Sequence, residues 1–87
     1  MDKSEIRKIL KNPSTELVNI ALGYVNLTEK ERKIIEYVEI KGITEERTAE
    51  ILDISTRNVQ TIKATAFEKI NIVWSYNLFV SMLLKRV

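Results

Sequence analysis

Residues 44–70 read TEERTAEILDISTRNVQTIKATAFEKI, and the spacing within this stretch decides the fold. Thr44 is placed to cap a helix over Glu45–Leu52, whose inward stripe is Thr48 or Ala49 with Ile51 and Leu52. Asp53-Ile54 form a tight connection, and the apolar Ile54 can pin the turn into a core. Ser55 then caps a second helix that starts at Thr56 and runs at least to Ile70, with Val59, Ile62, Ala66, Phe67 and Ile70 at helical spacing. Ala49 sits where the two helices cross, because a larger side chain there pushes them apart. Two helices joined by such a short connection form a helix-turn-helix.

The second helix has another face, made of Thr56, Arg57, Gln60, Thr61 and Ala64, which neither a core nor catalysis requires. A helix held across its neighbour can enter the major groove of double-stranded DNA with its N-terminal end leading. The exposed residues of its first two turns then meet base edges. The free amides and cap hydroxyl at its start favour phosphate. Arg57 suits guanine or a phosphate, Gln60 suits adenine, and Thr56 and Thr61 suit a thymine methyl or a phosphate. Thr is a mediocre helix former, so two of them at exposed helical positions point to a use. Asn58 serves a phosphate or the helix cap, and Thr44, Arg47, Ser55, Lys63 and Lys69 complete the candidate phosphate contacts. Taken singly, each reads equally well as a solvated surface residue. The constellation carries the argument.

The rest of the chain follows the same helical periodicity. Lys3–Lys11 is a short helix with Ile6, Ile9 and Leu10 on one face. Asn12-Pro13 closes it and opens a helix over Pro13–Gly23, where Leu17, Val18, Ile20, Ala21 and Leu22 are apolar. Thr28 and Glu31 form a capping box, and that helix continues through Ile34, Ile35, Tyr37 and Val38 to about Lys41, with Gly42 as its stop. Within 72–84, Ile72, Val73, Trp74, Tyr76, Leu78, Phe79, Val80, Met82, Leu83 and Leu84 are apolar or aromatic, more than one stripe can hold. Two arrangements accommodate them. The segment packs on the helices of residues 3–23, or it offers Trp74, Leu78, Phe79, Met82 and Leu83 to a second copy or another partner. Whether 56–85 is one helix, or two with a break near Asn71, the periodicity leaves open.

Composition narrows the function. With 87 residues, two Gly and one Pro, a single all-α domain of five or six helices is expected: 1–26 as N-terminal helices, 27–70 as core, 71–87 as an extra apolar helix. There is no Cys and no His, which excludes disulfides, Cys/His zinc sites and His-activated nucleophiles. The acids are scattered with no second catalytic group beside them, so no enzyme, cofactor or small-molecule substrate is expected. The absence of Cys fits a reducing cytoplasm, the N-terminus lacks a signal-peptide core, and IVWSYNLFVSMLL is too short to span a bilayer. Net charge is +2, distributed unevenly: residues 1–52 carry nine Lys/Arg against ten Asp/Glu, and residues 53–87 carry five against two. An anionic partner therefore sits more comfortably on the last third.

LTEKERKIIEYVEIKGIT, RTAEILDIS and RNVQTIKATAFEKI together resemble region 4, the C-terminal DNA-binding region of bacterial sigma factors of the housekeeping superfamily. The LuxR-type response-regulator domain is the second resemblance. The likeness spans Leu27–Ile70 and includes the ending at Ala64, Ala66, Phe67, Lys69 and Ile70. It implies promoter reading at Thr56, Arg57, Gln60 and Thr61, phosphate contacts at Thr44, Ser55 and Asn58, and docking on RNA polymerase. The chain departs from the pattern. The housekeeping sequence has Arg-Glu where Thr56-Arg57 stand and Gln at Thr61, so the usual upstream hexamer is not the expected target; at Thr48 it has Ile or Val, and Thr there is a mild loss of packing. No segment resembles the promoter-melting region. The expectation is a regulator built on the reader domain alone, of the phage or mobile-element kind, acting as a homodimer. The alternative is an interaction module or accessory subunit that docks on polymerase or another partner through its apolar C-terminal helix.

Overall fold

The computed structural model describes residues 1–85. Six α-helices follow one another: α1 (Lys3–Leu10), α2 (Thr15–Gly23), α3 (Glu29–Ile34), α4 (Glu45–Leu52), α5 (Thr56–Tyr76) and α6 (Leu78–Leu84). A π-helical segment, Ile35–Ile40, extends α3 directly. The described residues contain no strand, so the fold is all-α as expected. They divide into two compact units, Leu27–Ala66 and a second made of Met1–Asn26 with Phe67–Val87; the boundary falls inside α5.

In the unit of 27–66 the local chemistry of each helix end is explicit. Thr28 Oγ1 accepts from the Glu31 amide at 3.1 Å while Glu31 Oε1 accepts from the Thr28 amide at 2.8 Å, so the capping box is complete. Beyond Ile34 the turns widen, and the Lys41 amide reaches back five residues to the Glu36 carbonyl at 2.9 Å. Gly42, at φ 71°, then reverses the chain. This widening is not legible in the sequence, because Ile34, Ile35 and Val38 fit an ordinary α-helix equally well.

The core of this unit is Ile34, Ala49 and Val59, with Val38, Leu52, Ile54 and Ile62 packed against it. The crossing at Ala49 is therefore as expected. Thr48 is fully buried beside it, and its hydroxyl donates to the Thr44 carbonyl at 2.9 Å, which satisfies the polar atom where the family pattern has Ile or Val. Ile51 corrects the sequence reading. It is exposed, because the buried stripe of α4 is centred on Thr48, Ala49 and Leu52 and Ile51 lies outside it.

The α4–α5 connection is a Schellman-type turn. Asp53 takes the left-handed conformation at φ 56°, its amide donates to the Glu50 carbonyl at 3.3 Å, and the Ile54 amide donates to the Ala49 carbonyl at 3.0 Å. Ile54 closes the turn by packing on the core cluster, the hydrophobic contact this motif favours.

The other unit joins α1 and α2 to the end of α5 and to α6. Ile6, Leu10, Val18, Ala21, Leu22, Val25, Phe67, Ile70, Trp74, Val80 and Leu84 are its buried side chains. Trp74 is 0% exposed and its indole N–H donates to the Ala21 carbonyl at 3.0 Å. That corrects the placement of Trp74 at an external interface: it anchors the C-terminal segment onto α2. Truncating so large a buried side chain costs about 3–5 kcal/mol. The chain does not break near Asn71. Asn71 Oδ1 accepts from Ser75 Oγ at 3.0 Å within the helix, and α5 continues to Tyr76. The break is at Asn77, whose side chain caps α6 by accepting from the Val80 amide at 3.1 Å. At the start of the unit, α2 begins at Thr15 rather than Pro13, because Asn12 Oδ1 accepts from the Ser14 amide at 2.8 Å and holds a turn there.

Candidate nucleic-acid interface

The site is built from the start of α5 outward. Ser55 Oγ accepts from the Asn58 amide at 3.0 Å, so the cap anticipated from sequence is in place. Helices α1 to α4 each carry an acidic residue in the first turn; α5 carries none there, and its first turn contains Arg57. The positive end of the helix dipole is thus left uncompensated by the helix's own side chains.

Val59 is fully buried and Ile62 half-buried on the inner side of α5. Arg57, Gln60, Thr61 and Ala64 are exposed on the outer side at the spacing of one helical face, with Thr56 half-buried at its edge. Arg57 has no ion-pair partner among the described residues. The Thr61 hydroxyl donates to the Arg57 carbonyl at 3.0 Å. Its proton is engaged within the helix, leaving the methyl group and the oxygen lone pairs for an external partner.

The candidate phosphate contacts separate into four kinds. Thr44 Oγ1 accepts from the Arg47 amide at 3.1 Å and caps α4 as Ser55 caps α5, so both residues and the exposed Asn58 sit at helix starts. Arg47 is exposed and pairs with Glu50 at 2.9 Å, a surface contact that contributes little and exchanges easily. Lys63 differs. It is 16% exposed, and its Nζ lies 2.9 Å from Glu45 Oε2 and 3.5 Å from Glu39 Oε1, so its charge is directed at two carboxylates of its own chain. Lys69 belongs to the other unit, where it lines a surface hollow with Val25, Asn26, Ile72 and Val73.

Two residues of this arrangement escaped the sequence reading. Glu39 is 5% exposed on the π-helical segment, and Glu45 connects Lys63 to the outer face by accepting from Gln60 Nε2 at 3.4 Å. Glu39 and Lys63 lie 24 positions apart, and no local pattern pairs them. The only trace is the position of Lys63 next to the core residue Ile62, where a lysine needs a partner.

A capped helix crossed over a second one, with a solvent-facing polar edge and an acid-free first turn, defines the class: a helix-turn-helix domain of the nucleic-acid-binding kind. Residues 25–71 match the family model for sigma-70, region 4, and the chain belongs to that family. Of the two resemblances read from the sequence, the first is the one matched, over a slightly wider span. Region 4 is a DNA-binding helix-turn-helix domain of sigma and regulator type, and such domains bind DNA and RNA polymerase. No curated protein and no solved structure matches the chain. No helix among the described residues is long and apolar enough to cross a membrane.

Proposed function

We propose that the chain is a sequence-specific DNA-binding regulator of transcription that reads the major groove with the leading turns of α5. Arg57, Gln60, Thr61 and Ala64 face base edges, with Thr56 beside them, and Thr44, Ser55, Asn58 and Arg47 hold phosphates. The observation that supports this most is the exposed, polar outer face of α5 above the buried Val59. Arg57 is the principal reader. A bidentate arginine–guanine contact supplies roughly 1–3 kcal/mol of discrimination. Arg57→Ala therefore weakens binding to the selected site by about tenfold or more and leaves binding to unrelated duplex nearly unchanged. The experiment is selection from a random duplex library, followed by titration of the winning and scrambled duplexes. Equal losses on both would overturn the assignment.

A second observation favours a further element of the reading. Leu78, Phe79 and Met82 are 76%, 57% and 60% exposed on α6, and Phe79 packs against the exposed Tyr24 just after α2, with the rings tilted and their centroids 5.4 Å apart. We infer that this face associates with a second copy, which gives the weakly contacting reader two half-sites. Sedimentation velocity tests it. The chain shifts from monomer to dimer in the micromolar range, and Phe79→Glu with Met82→Glu holds it as a monomer. A wild-type chain that stays monomeric throughout removes the homodimer.

A further inference from the structure

The Glu45–Lys63 pair is not needed to form the crossing of α4 and α5, which Ala49 and Val59 already close. It does, however, place one carboxylate between a lysine and a residue of the outer face. Glu45 Oε2 is 2.9 Å from Lys63 Nζ, and Glu45 Oε1 accepts from Gln60 Nε2 at 3.4 Å. Both oxygens of Glu45 are thereby engaged. Lys63 is itself tied to the buried Glu39 at 3.5 Å, so the carboxylate that meets Gln60 is held from the inside.

We propose that Glu45 is a positioning residue for base recognition, orienting the Gln60 amide so that its outward edge matches adenine. The inference rests on the DNA-reading function proposed above and adds to it a base preference. The reasoning begins with what a carboxylate can accept. An ionised Glu has no hydrogen to give, so only the NH2 side of the Gln60 amide can face it. One Nε2 hydrogen is then engaged by Glu45. The remaining hydrogen and Oε1 form a donor–acceptor edge in a fixed order.

In the major groove, adenine offers an acceptor at N7 and a donor at N6, the complement of that edge. Guanine offers two acceptors, N7 and O6, and one of them would meet Gln60 Oε1 lone pair to lone pair. Without Glu45 the amide is free to turn, and both Nε2 hydrogens can then be offered to the two acceptors of guanine. Lys63 has a second effect. Its charge neutralises Glu45, which would otherwise repel the phosphates beside the helix start.

The experiment uses the full chain and the random-library selection. Gln60→Ala first identifies the base pair whose preference depends on Gln60. Adenine is expected there in the wild type, preferred over guanine by about tenfold. Glu45→Ala and the near-isosteric Glu45→Gln should each cut that preference to threefold or less. Both should leave preferences at the other positions close to wild type, while binding to scrambled duplex rises alike in both because a carboxylate beside the phosphates is lost. The unchanged preferences at the other positions separate orientation of Gln60 from a structural role. The proposal is overturned if Glu45→Gln folds and keeps the full preference, if the Gln60-dependent base is guanine, or if Gln60→Ala changes no single position while others stay enriched. A wild-type chain that enriches no sequence at all instead removes the DNA-reading function, and this proposal with it.

Discussion

Asp53 is the one non-glycine among the described residues with a positive φ, and it occupies the turn on which the orientation of α5 depends. Aspartate tolerates this conformation because its short polar side chain adds little crowding, whereas a β-branched side chain does not fit. Asp53→Val is therefore expected to destabilise the chain by about 1–2 kcal/mol, read as a lower urea midpoint with unchanged slope. Asp53→Gly should match the wild type or exceed it. This turn was legible from sequence: an apolar residue after a turn-forming one, then Ser55, has few other uses. The buried Thr48 was half legible. Its departure from the family pattern showed as lost packing, but the compensating bond to the Thr44 carbonyl depends on a hydroxyl rotamer that sequence does not specify. The ion pairs of Lys63 were not legible for a related reason. A lysine on the recognition helix of a DNA reader suggests phosphate, and only the arrival of Glu39 and Glu45 from other elements redirects it.

At the scale of elements, helix starts were the readable features and helix continuity was not. Thr28, Thr44 and Ser55 all cap as their spacing indicates. The sequence offered a break near Asn71, yet the helix runs through it and ends before Asn77. The difference lies in their partners: Asn71 accepts from Ser75 within α5, whereas Asn77 accepts from the Val80 amide as Ser81 Oγ donates to the Trp74 carbonyl at 2.8 Å. Those bonds redirect the chain so that α6 can bury Val80 and Leu84. Asn77→Ala removes the cap and should cost about 1 kcal/mol, measurable by thermal melting. Trp74 fluorescence provides a local probe, since the indole sits in the same unit and is fully buried. If the melting curve followed by Trp74 emission is unchanged in this variant, the cap does not hold α6 in place. The apolar excess of this segment was legible, but its division between core and surface was not. Trp74 went inside because its N–H found the Ala21 carbonyl, while Leu78, Phe79 and Met82 stayed out.

For the whole molecule, the distribution of charge sets how DNA affinity responds to salt. Counting residues assigns the last third a surplus of cations, and the sequence reading placed Lys63 among those facing phosphate. The ion pairs change that count. Lys63 is directed at Glu39 and Glu45, Arg57 has no ion pair among the described residues, and Arg47 is in an exposed pair that a phosphate can replace. Each phosphate neutralised contributes about −0.9 to the slope of log affinity against log salt on B-form duplex. With Arg57 on a base edge and Arg47 on a phosphate, one reading face should give a slope of about −1, and two copies on one duplex about −2. Fluorescence anisotropy titrations from low to physiological salt measure it. Arg47→Met should flatten the slope by about one unit per copy, whereas Lys63→Met should leave it unchanged. A slope of about −6 or steeper would mean that phosphates are held by cations away from the start of α5, and the assignment of this face as the DNA contact would have to move with them.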